Sequence, residues 1–188
     1  MDRLTEFLIV LVVVGAIVVY LSSTAGRLDR LHHRIETAYA ALDAQLLRRV
    51  AAAQDLASSG LLDPASSLVL SAAAQESLVV DPEDFAARSG VESELTRTLG
   101  AVFDSADDVA EVHDAAGVDG AVADQLVEEL AVACRRVGLS RRFHNDVVRS
   151  AVQLRRKRVV RWFRLAGYTP LPRTIDFDDT PPAGLAGP

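Results

Sequence analysis

Only one cysteine, Cys134, occurs in this chain, which excludes an internal disulfide and any metal site built from several thiolates. Six phenylalanines, three tyrosines and one tryptophan are too few to stack bases along a nucleic-acid strand. There is no phosphate-cradling glycine loop, dinucleotide turn, serine elbow, zinc-ligand spacing or Nudix-type acidic box. The sequence therefore points to no reaction and to no cofactor. Strand-length alternation of apolar and polar residues is also missing, and a sheet with it. The last absence is local: no charge falls between Phe7 and Gly26.

That uncharged stretch is nearly all Val, Ile, Leu and Ala from Leu8 to Leu21. A bilayer core about 30 Å thick is crossed by about 20 such residues in a helix. The run predicts one membrane-spanning helix. A cleaved signal peptide is the competing reading, with Ser23 and Ala25 as small residues at a cleavage site. Against it, Asp2 and Glu6 outweigh Arg3, and the uncharged run from Phe7 to Gly26 exceeds the roughly 7–15 residues of a signal core. Arg27, Arg30 and Arg34 follow the span beside His32 and His33. Basic residues favour the cytoplasmic side, so the following domain is expected to face the cytoplasm from the cell membrane.

Beyond the span, Leu28, Leu31, Ile35, Ala38, Leu42 and Leu46 recur at three- and four-residue steps and continue the helix to Ser58-Ser59-Gly60. Asp63-Pro64 marks a second helix, through about Ser77, by an N-cap followed by proline. Asp81-Pro82 marks a short helical turn closed by Ser89-Gly90. A third helix is expected from Val91 to Ala116, with Leu95, Leu99, Val102, Phe103, Ala106 and Val109 on one face. A long fourth helix, capped by Asp119, carries the stripe Val122, Leu126, Leu130, Ala133, Val137, Val148 and Ala151; Gly138 is its weak point. The expected class is all-α: a single N-terminal transmembrane helix followed by an antiparallel up-and-down bundle of about four helices. Its divisions are a tail and anchor over 1–26, a cytoplasm-facing bundle over 27–166 and a disordered Pro/Gly-rich tail over 167–188, which holds five of the seven prolines.

Charge is segregated. Fourteen acids and two basic residues lie from Asp81 to Glu129, and eleven basic residues and one acid from Arg135 to Arg164. Four antiparallel helices would return the end of the last one to the bilayer. Arg155, Arg156, Lys157, Arg158, Arg161 and Arg164, with Trp162 among them, are therefore expected to contact the membrane surface together with Arg27 and Arg30. The bland alternative is that the basic segment pairs with the acids of the third helix.

Two stretches carry a family likeness. Ala38-Tyr39-Ala40-Ala41-Leu42-Asp43-Ala44-Gln45-Leu46-Leu47-Arg48-Arg49 resembles the start of the LemA family, just after its N-terminal span. Arg142-Phe143-His144-Asn145-Asp146-Val147-Val148 is similar to that family's last helix, and Gly167-Tyr168, Pro170 and Phe177 to its closing segment. The family's Tyr-Asp-Leu-Ile-Pro-Asn run is replaced by Val50-Ala51-Ala52-Ala53-Gln54-Asp55-Leu56, and its second Tyr-Asn pair by Ala151-Val152, so the chain resembles a divergent member. The resemblance implies an N-terminal anchor and an antiparallel helical bundle, with no catalytic residues to carry over.

Remaining candidates have structural readings. His144 lies on the apolar stripe and reads as a packed core histidine rather than a ligand. Asp104, Asp107, Asp108, Glu111 and Asp114 read as a solvated acidic face, since no Glu-x-x-His pair accompanies them. Cys134 has Arg135 and Arg136 beside it, which favour a thiolate, but its place on the stripe favours burial. The expected function is a membrane-anchored adaptor or scaffold without catalysis or cofactor. Its partners are membrane lipid and a protein, with self-association open. The alternative is a membrane-tethered binder of nucleic acid or a small anionic ligand through the basic last helix.

Overall fold

Six α-helices and no strand occur among the described residues of the structure, a computed structural model that describes residues 3–82, 84–163 and 170–186. They are α1 (Arg3–Ser58), α2 (Pro64–Val79), α3 (Phe85–Val102), α4 (Ala106–Ala116), α5 (Gly120–Arg155) and α6 (Arg158–Trp162), with short 3-10 turns at Gly117–Asp119 and Ala183–Leu185. Two compact units result, Met1–Ala38 with Asn145–Thr174 and Tyr39–His144 with Ile175–Pro188.

Helix α1 is 56 residues long because nothing in it breaks a helix: no proline occurs, and its two glycines are isolated. Its first part is long and apolar enough to cross a membrane. Residues 3–20 are exposed throughout, Leu21 is half-buried and Thr24 is buried. The hydroxyls of Ser23 and Thr24 donate to the Tyr20 carbonyl at 2.9 and 2.8 Å, so neither polar group is left unsatisfied at the end of the apolar run. In the same unit, Val148, Ala151, Leu154 and Val160 are buried.

The second unit holds a core of α1, α2, α3, α4 and α5 side chains around Leu56, Leu70, Leu99, Phe103 and Leu130. The Asp63 carboxylate accepts from the Ala65 and Ser66 amides at 2.9 and 3.2 Å and starts α2 as the Asp-Pro pair predicts. Asp84 caps α3 in the same way.

The third predicted helix is two helices. Phe103, Asp104 and Ser105 separate α3 from α4, and α3 begins at Phe85, running through Ser89-Gly90 without a stop. Asp108 explains the break. Its carboxylate accepts from the Ser105 amide at 2.7 Å and the Ser105 hydroxyl at 3.1 Å, which fixes a new N-terminus. Ala106, placed on the apolar face by the sequence pattern, is exposed, and Asp104, Asp107, Glu111 and Asp114 are exposed with it. In α5, Ala123 is buried, whereas Val122 of the predicted stripe is 55% exposed.

The C-terminal segment also differs from the expectation of a disordered tail. Ile175 and Phe177 join Leu42, Leu46 and Val137 in a second apolar cluster, and Leu185 enters the main core. Burying such side chains contributes about 1.5–3 kcal/mol each, enough to order a proline-rich strap. Arg141 grips it: Nε and Nη2 donate to the two oxygens of Asp179 at 3.1 and 2.9 Å, Nη1 donates to Asp176 at 2.9 Å, and the guanidinium lies over the Phe177 ring. Helix α5 runs through Gly138 unbroken, and the glycine also makes a seat for the strap. A Cβ there would meet the Asp179 carboxylate at 3.0 Å. Gly184 is tighter still: its amide donates to the Phe103 carbonyl at 2.9 Å, and a Cβ would meet the Ser105 carbonyl oxygen at 2.3 Å. Gly167 and Tyr168, part of the family likeness, lie outside the described residues.

Candidate membrane-surface site

The basic residues nearest the bare apolar helix lie in the first unit. Arg27, Arg30 and Arg34 follow one another on α1 at i, i+3 and i+7, which places them along one face. All three are exposed, and none is in an ion pair among the described residues. They line one wall of a groove of about 720 Å³ with Leu31; Asp146, Val147, Ser150 and Leu154 of α5 form the other.

Helix α5 stops at Arg155, earlier than the expected last helix. The Arg156 and Lys157 amides close the final turn onto Val152 and Leu154, and Lys157 is extended. Four consecutive cations, with Arg155 and Arg158 three apart, repel along a helix face and favour the break. The short α6 then buries Val160 and leaves Trp162 84% exposed. Arg156, Lys157, Arg158 and Arg161 are exposed around it. Arg155 instead donates to the Pro170 carbonyl at 2.7 Å. Arg164 lies outside the described residues.

Of the expected contact residues, Arg27, Arg30, Arg155, Arg156, Lys157, Arg158, Arg161 and Trp162 thus fall in one unit. Arg34 joins them through the groove. Its seven-residue spacing from Arg27 was the signal for it.

Other polar groups of the second unit are internal. Arg49 and Glu92 pair at 2.6 Å with 2% and 1% of their side chains exposed. Arg49 also donates to the Thr96 hydroxyl at 2.9 Å and the Glu92 carbonyl at 3.2 Å. The Thr96 hydroxyl in turn faces the Glu92 and Asp178 carbonyls at 3.0 and 2.7 Å. Sequence reasoning missed this cluster, although Arg49 stands three and seven residues after buried Leu46 and Leu42, on the inward face of α1, and its exposed neighbour Arg48 does not.

Arg88 pairs with Asp43, and the Tyr39 ring lies edge-on to Phe85 and 5.6 Å from the ring of buried His144. Burial pushes the Tyr39 hydroxyl above its ordinary value, against the lowering pull of Arg88. Burial likewise pushes the Cys134 thiol up, against Arg49 and Arg135, so packing outweighs the neighbouring charge. No group of three or more His, Cys, Asp or Glu that could hold a metal ion occurs among the described residues.

What the arrangement can do is bind anions electrostatically at the end of an apolar helix. No family model, no curated protein and no solved structure matches this chain.

Proposed function

We propose that this protein is a single-pass membrane-anchored helical scaffold of LemA-like type, with its bundle antiparallel and facing the cytoplasm, and that it acts without catalysis by holding a protein partner at the bilayer. The observation that carries this reading is a matched boundary. The uncovered stretch over residues 3–20, uncharged from Phe7 onward, ends where chain begins to cover α1 at Leu21 and Thr24, and exposed arginines resume at Arg27. About 20 residues of helix rise 30 Å, the thickness of a bilayer core.

Exposed Arg156, Lys157, Arg158, Arg161 and Trp162 supply the second contact. A cation near an anionic leaflet gains about 1 kcal/mol, and tryptophan favours the headgroup zone. The LemA likeness of residues 38–49 and 142–148 supports the same architecture, and the lack of any catalytic motif supports a binding role.

Two measurements test it. A reporter fused after Pro188 should be active only in the cytoplasm; activity on the far side of the membrane refutes the orientation. Alkaline carbonate should leave the full chain in the membrane pellet; release into the supernatant, or a mature chain starting at Gly26 or Arg27, refutes the anchor.

A further inference from the structure

We propose that the groove between Arg27, Arg30 and Arg34 of α1 and the end of α5 is a discrete site for the phosphate headgroup of one anionic phospholipid. This rests on α1 being a membrane span, and it differs from the diffuse attraction of the α6 cations to a leaflet.

Position argues first. Helical side chains lean toward the N-terminus, so arginines following a span reach back toward the headgroups. Arg30 does so: its Nη1 lies 3.7 Å from where a Gly26 Cβ would stand. Gly26 is three residues past Ser23, about 5 Å along the helix axis. The guanidinium thus lies back over position 26, at the end of the uncharged run, within van der Waals reach of any side chain placed there.

Charge and shape agree. Three arginines face one carboxylate, Asp146, which Arg149 already engages, so the groove is net positive. The guanidinium fork matches phosphate oxygens in a way an ammonium does not, and all three basic residues here are arginine. A concavity of about 720 Å³ falls in the size range of small-molecule sites. Leu31, Val147 and Leu154 add apolar wall on which a glycerol and the tops of acyl chains can lie. The α6 cations stand on an exposed surface, where attraction is electrostatic only and is screened by salt.

The test uses the full chain purified in mild detergent, with retained lipid read by native mass spectrometry and phosphatidylglycerol as the added probe. The wild type should retain one phosphatidylglycerol per chain in moderate salt. Arg30→Gln with Arg34→Gln should weaken retention roughly 30-fold, while Arg48→Gln with Arg136→Gln, an exposed pair outside the lining of the groove, should leave it unchanged. Gly26→Leu keeps every charge while its branched end competes with the Arg30 guanidinium for space, and should also weaken retention.

Equal retention in the Arg30/Arg34 variant, or an equal loss in the Arg48/Arg136 pair, overturns the site. So does competition by inorganic phosphate at the same concentration as lipid, which would make it a soluble-anion site. Carbonate extraction reads the anchor separately. A chain that is released by carbonate refutes the span, whereas a chain that stays in the membrane but retains no lipid refutes only the groove.

Discussion

Removing one member of the Arg49–Glu92 pair should cost more stability than removing both. The pair is 2.6 Å apart and shut off from water, with 2% and 1% of the two side chains exposed. Arg49→Met leaves the Glu92 carboxylate buried without its cation and withdraws the bond to Thr96. Stranding a buried charge costs about 3–5 kcal/mol. A domain of this kind has about 5–15 kcal/mol in all, so the variant stands near the edge of folding. For a chain of this size the loss corresponds to a fall in melting temperature of about 6–20 °C. Adding Glu92→Leu removes the stranded charge. The Thr96 hydroxyl still faces the carbonyls of residue 92 and Asp178, so no new orphan is created. The double variant should lie within about 1 kcal/mol of wild type, or above it. Pulse labelling of buried Cys134 along a urea gradient reads the opening of this core while α1 stays in detergent. If the double variant falls as far as the single one, packing rather than charge holds this layer together and the reasoning is wrong.

Gly184→Ala should lower stability by about 1–3 kcal/mol, because its Cβ would meet a backbone oxygen that cannot swing aside; faster hydrogen exchange at residues 183–186 would locate the damage, and unchanged exchange would refute it. Cys134 should resist iodoacetamide at neutral pH until the chain unfolds, since burial raises its thiol pKa; labelling of the native chain at the rate of a free cysteine contradicts this. Hydrogen bonds from Ser66 to Asp63 and from Thr180 to Asp178 hold both carboxyls below their usual range. Depressed carboxyls stabilise above the unfolded value near about pH 3.9 and lose that contribution as pH falls through the folded value. Melting temperature should therefore drop on acidification below about pH 5, with a shallower drop in Asp63→Asn and Asp178→Asn; equal slopes would refute the assignment.

The long apolar N-terminal helix and the start of α2 were legible because their signals are local: an uncharged run, and an Asp-Pro cap. The inward face of α1 was legible too, since Leu42 and Leu46 recur at helical spacing and are buried. The α3–α4 break was written in the three-residue spacing of a capping box, Ser105 to Asp108. Phe103 and Val109 continue the apolar rhythm across it and mask the stop. The strap was illegible for another reason. Its partners, Arg141 for Asp179 and Phe103 for Gly184, lie 38 and 81 positions away, and prolines between them mimic disorder. Of the candidate site, the arginines were visible as charges; that three of them border a groove required the register of α1 against the end of α5.

The strap also sets an order of assembly. The N-terminal apolar helix leaves the ribosome first and Ile175, Phe177 and Leu185 long after Leu42, Val50 and Val137, with which they share cores. The stretch from Val137 to Leu185 is about 50 residues, or several seconds at roughly 5–20 residues per second of synthesis. During that interval the helices stand with part of their apolar interior unroofed. Nascent chains arrested within this stretch should be bound by chaperones and cut by protease, and both susceptibilities should vanish once residue 185 has emerged.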